Sequence, residues 1–171
     1  MTRGTHLLLG AAVAVPIAAP LSPGLAAGCI WWGMVGGGFP DWLDLRSDLR
    51  RPLRLRHRGA SHGIPLAIAL AAGLLLLFRL LAEPVLAVRG HAITVPDAAA
   101  LPWTLAFLAG VGSHIASDAL THAGVRPLLP LSGWRLWLVP RLLRGRSTGP
   151  LDTLVRALAA LVLVVGLAAY L

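Results

Sequence analysis

The chain has 171 residues, 57% of them hydrophobic and only 13% charged. A soluble domain carries about 25% charged residues, so an ordinary water-soluble fold is excluded; the mean hydropathy of +0.76 indicates an integral membrane protein, organised as one domain over residues 1–171. The net charge of +8 does not point to nucleic acid: all fifteen basic residues are Arg, and eleven fall in two segments, 46–58 and 126–146, the clustering that membrane topology produces.

The first apolar run covers residues 7–20, short for a span of about 20 residues, and Pro16, Pro20 and Pro23 bring it to a turn. A second stretch, 24–39, ends in Gly36-Gly37-Gly38. Together they predict a helical hairpin, tilted or partly re-entrant. The single cysteine, Cys29, excludes an internal disulfide. It lies in Leu25-Ala26-Ala27-Gly28-Cys29, similar to a lipoprotein cleavage box, but Ile30-Trp31-Trp32 follow where a polar tether belongs. A packing role for the thiol is the expectation.

Residues 46–58 hold six Arg and one Asp and cannot enter hydrocarbon. Residues 64–82 form a clear span, with Arg79 able to snorkel. A short loop, 83–100, carries Glu83, Arg89 and Asp97. Residues 101–122 make the fourth helix. The loop 123–150 contains Pro, five Arg, and Trp134 and Trp137, which suit an amphipathic segment at headgroup level. Residues 151–171 are the last span. The expected fold is all-α, a polytopic bundle of about four or five transmembrane or membrane-embedded helices. Both Arg-rich loops flank the hairpin of spans 64–82 and 101–122, so both belong on the cytoplasmic side. Membrane lipid is the expected partner, with anionic headgroups at those loops and no nucleic acid.

On this threading His6, Asp41, Asp44, His57, His62, His114, Asp118 and His122 all fall at one face, whereas His91 and Asp97 fall at the other. His114, Asp118 and His122 are spaced i, i+4, i+8, one stripe on a helix, which lifts His114 about 12 Å above His122. An Asp at a helix centre costs about 2.5–3.5 kcal/mol on insertion scales and needs a partner. A divalent metal satisfies several such groups at once. Imidazole with carboxylate suits zinc, manganese or iron, as one ion or as two held about 3.5–4 Å apart by a bridging carboxylate.

Three motifs in order carry a resemblance: Phe39-Pro40-Asp41-Trp42-Leu43-Asp44, then His57-Arg58-Gly59-Ala60-Ser61-His62, then Ser113-His114-Ile115-Ala116-Ser117-Asp118-Ala119-Leu120-Thr121. The last continues into Ala123-Gly124-Val125 and Pro127-Leu128-Leu129-Pro130. The ordered set resembles the YdjM-like inner-membrane metal-dependent hydrolases, a family held to be distantly similar to zinc-dependent phospholipase C. The resemblance covers most of residues 1–137. It implies a bacterial or archaeal inner-membrane protein with His6, Asp41, His57, His62, His114 and Asp118 as metal ligands. This chain has Asp41-x-x-Asp44 where the family has Asp-x-Asp, and His122 where the family has Pro.

The expected activity is metal-dependent hydrolysis of a phosphoester in a lipid or lipid-linked substrate at the cytoplasmic face. Asp41 or Asp118 would bridge metals or orient water, His57 or His122 would protonate the leaving group, and Arg58 would hold an anionic oxygen. The alternative is a non-catalytic protein clamped by its metal, with a structural or regulatory role; there the coordination sphere would be closed. A transporter would need polar residues continuing across the bilayer, and the outer halves of the spans carry almost none.

Overall fold

The structure, a computed structural model, describes residues 1–45, 59–82, 86–88, 91–93 and 95–169. It is all-helical in its framework. The helices are α1 (Arg3–Val13), α2 (Val15–Ala18), α3 (Pro23–Leu45), α4 (Ile64–Ala82), α5 (Asp97–Ala119) and α6 (Pro150–Ala168), with single 3-10 turns at Ala60–His62 and Arg141–Leu143. α4, α5 and α6 are long and apolar enough to cross a membrane.

The N-terminal hairpin forms where expected, and its break has a local cause. Pro16 has no N–H to give and crowds the carbonyl four residues back, so α1 stops at Val13 and α2 restarts one residue later. α3 is longer than the apolar pattern suggests. It runs through Pro40 and Asp41 instead of ending at residue 39, because Pro40 is buried and Asp41 turns toward buried histidines.

α5 is the central helix. Half of its most apolar window is buried, against 17% for α4 and for α6. The outer helices expose leucine and valine freely: Leu76 is 61% exposed, Leu80 58% and Val164 65%. Such faces are unfavourable in water and suit a bilayer. The inner contacts are made by small residues. A Cβ on Gly10 would overlap the Gly33 carbonyl, one on Gly37 the His6 carbonyl, one on Gly36 the Phe107 carbonyl, and one on Gly110 the Gly33 carbonyl. Backbones of α1, α3 and α5 therefore touch directly, the packing that small residues permit between membrane helices.

Both ends of α5 differ from the sequence expectation. It begins at Asp97, not 101, since an acidic residue at a helix N-terminus is favourable to the dipole. It ends at Ala119, short of residue 122. At its start, the loop from α4 contains a two-stranded antiparallel ribbon, β1 (Leu86–Val88) and β2 (His91–Ile93), which apolar periodicity had not indicated. Arg79 pairs with Asp97 there; both are exposed, so the pair adds little stability.

The segment after α5, expected as an amphipathic stretch at headgroup level, has a single 3-10 turn at Arg141–Leu143. It folds back beneath the C-terminal end of α5 in irregular structure. Leu138 N–H bonds the Ala119 carbonyl at 3.1 Å, Gly145 N–H the Leu120 carbonyl at 3.2 Å, and Ile64 N–H the Pro127 carbonyl at 2.7 Å. The first two satisfy carbonyls left open at the end of α5, and the third an N–H left open at the start of α4. Gly124 takes φ +63°, a left-handed conformation that favours glycine, and a Cβ there would also strike Trp137. The Trp137 indole N–H bonds the His122 carbonyl at 3.3 Å, and the Arg144 guanidinium lies 4.6 Å from its ring centre.

Candidate metal centre

Four separate elements bring His6, Asp41, His62, His114 and Asp118 together at one end of the bundle. His6 lies in the second turn of α1. That helix is capped by Thr2, which Asp152 at the start of α6 grips twice: Thr2 N–H donates to one carboxylate oxygen at 2.8 Å and Thr2 Oγ1 to the other at 3.0 Å. Asp41 extends from the late turns of α3. His62 closes the 3-10 turn that leads into α4. His114 and Asp118 are one turn apart on α5 and face the same way.

Burial is nearly complete. His62 and His114 are 0% exposed, and His6 and Asp118 are 1% exposed. The Asp41 side chain is the open one, at 18%. The rings are packed together: His6 stacks on His114 with centres 3.7 Å apart, and His62 meets His114 edge-on at 4.9 Å.

Hydrogen bonds fix which nitrogens face inward. His114 Nδ1–H donates to the Gly37 carbonyl at 2.7 Å, which leaves a lone pair on Nε2. Ser117 has one hydroxyl proton and gives it to the His114 carbonyl at 2.9 Å. The 3.1 Å contact between Ser117 Oγ and His6 Nδ1 therefore has His6 as donor, so His6 also turns a lone-pair Nε2 toward the cluster. Ser61 Oγ lies 3.1 Å from His62 Nδ1 and can serve that ring in the same way. A ligating histidine that anchors its second nitrogen on a backbone or side-chain oxygen is a recurrent feature of metal sites.

The inward atoms converge on two overlapping groups, His6–His114–Asp118 and Asp41–His62–His114, each with its ligand atoms within 4.8 Å of one another. His62 Nε2 and His114 Nε2 are 3.1 Å apart. Two nitrogens on one tetrahedral zinc would stand about 3.3 Å apart at ordinary bond lengths, so the spacing fits a shared ion. His62 Nε2 and His114 Nε2 each lie 3.8 Å from Asp41 Oδ1, and 4.0 and 3.9 Å respectively from Asp118 Oδ2. His6 Nε2 is 3.4 Å from Asp118 Oδ1. That same oxygen takes the Met1 ammonium at 2.6 Å, so a positive charge already sits where a cation would be attracted. An imidazole nitrogen has one lone pair to give, and His114 is common to both groups. The donor set thus fits one ion, or two ions of which His114 serves one.

Five of the sequence candidates are brought together in this way. His57 and Arg58 lie outside the described residues. Asp44 belongs to α3, and its side chain lies outside the described residues too. His122 is not brought in: α5 has ended, its side chain is exposed, and its N–H bonds the Gly145 carbonyl at 3.2 Å. The predicted stripe of three therefore stops at Asp118. Ser117, Gly37, Thr2 and Asp152 support the ligands and were not singled out from sequence. Ser117 lies inside the Ser-His-x-x-Ser-Asp segment, three residues after His114, which is the available signal. Asp152, 5% exposed at the head of an apolar helix, could have been noticed as a carboxylate needing a partner.

The cluster reunites segments from 41 to 118 that the motif order had grouped, and the comparison with family models agrees. The model described as YdjM inner membrane protein matches residues 1–171. Among curated proteins nothing matches, and among solved structures nothing matches. With the match spanning its whole length, the chain belongs to the YdjM inner membrane protein family.

Proposed function

We propose that the protein is a metal-dependent hydrolase of phosphoester bonds in a lipid or lipid-linked substrate. The family's description names a membrane and no reaction, so the chemistry is argued from the site. The observation that carries it is the convergence of three buried imidazoles and two carboxylates with second nitrogens anchored on Gly37 and Ser117. Zinc is the first metal to test, with manganese and iron next. A bound ion supplies Lewis-acid polarisation and a nucleophile at neutral pH.

The chain's own residues then divide the work. His6, His62, His114 and Asp118 hold the ion and keep bulk water out by their burial. Asp41, the least buried of the five, faces the open side and orients water against the phosphorus. His57 and Arg58 remain the candidates for leaving-group proton donor and anion holder. His122 is set aside for that role by its exposed position beyond the end of α5. The Arg-bearing segment 126–146 packs at the same end of the bundle as the cluster, which by the charge rule supports reading that end as the cytoplasmic one. The test is elemental analysis of detergent-purified protein, followed by a phospholipid hydrolysis screen. Bound metal that His114→Ala abolishes, with cleavage that depends on it, is the expected result. Bound metal without cleavage of any phospholipid would sink the enzyme reading.

A second reading is favoured by the near-total burial of four ligands. Closed sites are usually structural, and the metal would then clamp α1, α3, α4 and α5 without chemistry. Its mark would be metal-dependent thermal stability with no turnover.

A further inference from the structure

The face of α1 and α3 beside the cluster carries a groove of about 360 Å³ lined by Arg3, Leu7, Val35, Gly38, Phe39 and Trp42. Arg3 and Leu7 are four residues apart on α1, and Val35, Phe39 and Trp42 follow i, i+4, i+7 on α3, so each set forms one stripe. Gly38 lets the Leu7 side chain lie against the α3 backbone. From Val35 to Trp42 the groove runs about 10 Å by helix rise, apolar throughout, with one guanidinium at its end. Among the described residues Arg3 forms no ion pair.

The charged end is the cluster end. His6 directly precedes Leu7, and Asp41 directly precedes Trp42; both turn from the groove into the metal centre. We infer that this groove seats one acyl chain of an anionic phospholipid, with Arg3 holding the phosphate beside Asp41. The occupant follows from complementarity: an apolar trough on a membrane-family chain takes a hydrocarbon chain, and Arg3, the charged residue of its described lining, selects a phosphate. The assignment rests on the lipid-phosphate reading above for its ligand class, and it names the residues that would recognise that lipid. A second groove between α3 and α4, about 330 Å³, shares Val35 and Phe39 with the first but has no charged residue; Leu70, Leu74 and Leu77 belong to it alone. It serves as the internal comparison.

The experiment uses the full chain in neutral-lipid nanodiscs, with chelator present so that no turnover occurs. Each preparation carries a small share of phosphatidic acid or of diacylglycerol, both with a photoactivatable acyl chain, and labelled peptides are mapped by mass spectrometry. Phosphatidic acid should label residues 3–7 and Trp42, which line the first groove and not the second, about fivefold more than diacylglycerol, the effect of one Arg near an anionic headgroup. Arg3→Gln should bring the two to parity, Leu7→Trp should block labelling there, and the α3–α4 groove should take both lipids equally in every variant. Equal labelling of residues 3–7 and Trp42 by both lipids, or a preference that survives Arg3→Gln, would mean ordinary surrounding lipid and overturn the inference. If the preference holds and the same lipid is not cleaved when zinc is restored, the groove stands and the hydrolase reading falls.

Discussion

Ser117 has one proton, and giving it to the His114 carbonyl makes His6 the donor in their contact. That choice, not the identity of His6 alone, turns His6 Nε2 toward Asp118. Ser117→Ala should therefore lower metal affinity on the order of 10-fold, as loss of an outer partner does, while full loading survives at saturating metal. His114→Ala should abolish loading. Competition titration with a chromogenic chelator separates the two, and an unchanged affinity in Ser117→Ala would show that His6 is not a ligand. Asp152 acts one step further out. Asp152→Ala unties Thr2 from α6 and should cost about 1 kcal/mol, the worth of part-buried hydrogen bonds to a carboxylate, with metal affinity weakened and stoichiometry kept. Of these residues only the His114/Asp118 pair was legible in sequence, because an i, i+4 ionisable pair inside an apolar helix has few other uses. A helix serine bonding the carbonyl three residues back is commonplace; its role shows only when another helix delivers His6 to it.

At the scale of elements, the site exists because three helices approach at glycine. Gly37 permits contact with the His6 carbonyl and offers its own carbonyl to His114, so one position sets both the spacing of α1 and the tautomer of α5. Gly37→Ala should destabilise the protein by about 1–3 kcal/mol, the usual cost of overpacking, and should weaken metal binding because His6 moves with its backbone. Gly73→Ala on α4, where a Cβ meets nothing, should be neutral or slightly stabilising. Thermal unfolding in detergent with and without metal reads both. Equal midpoints for the two variants would mean the seam is not under tension. The Gly36-Gly37-Gly38 run was visible in sequence but read as a helix end. Glycines and Pro40 ahead of two carboxylates suggest termination by local rules; burial of Pro40 and direct backbone contact override them. The end of α5 was misread for the opposite reason. Spacing alone carried the stripe to His122, whereas the returning segment 123–150 supplies the N–H groups that end the helix at Ala119.

For the whole molecule, the distribution of charge makes an orientation testable. The cluster, the segment 126–146 and the N-terminus of α1 share one end; the β1–β2 ribbon and the Arg79–Asp97 pair mark the other. That partition was legible in sequence because three long apolar helices fix which loops alternate, and the Arg count then breaks the symmetry. The proposed orientation predicts that the Arg-bearing end faces the cytoplasm. Cys29 is buried, so a Cys29→Ser background carries single probes cleanly: Leu142→Cys at the cluster end, where Leu142 is 97% exposed, and Ala98→Cys at the ribbon end. In intact cells a membrane-impermeant maleimide should label Ala98→Cys and spare Leu142→Cys; after permeabilisation both should react. The reverse pattern would place the metal centre on the outer side. A substrate would then be drawn from the outer leaflet, where the anionic surface potential of the cytoplasmic face no longer gathers phosphate-bearing lipid toward the Arg-rich end.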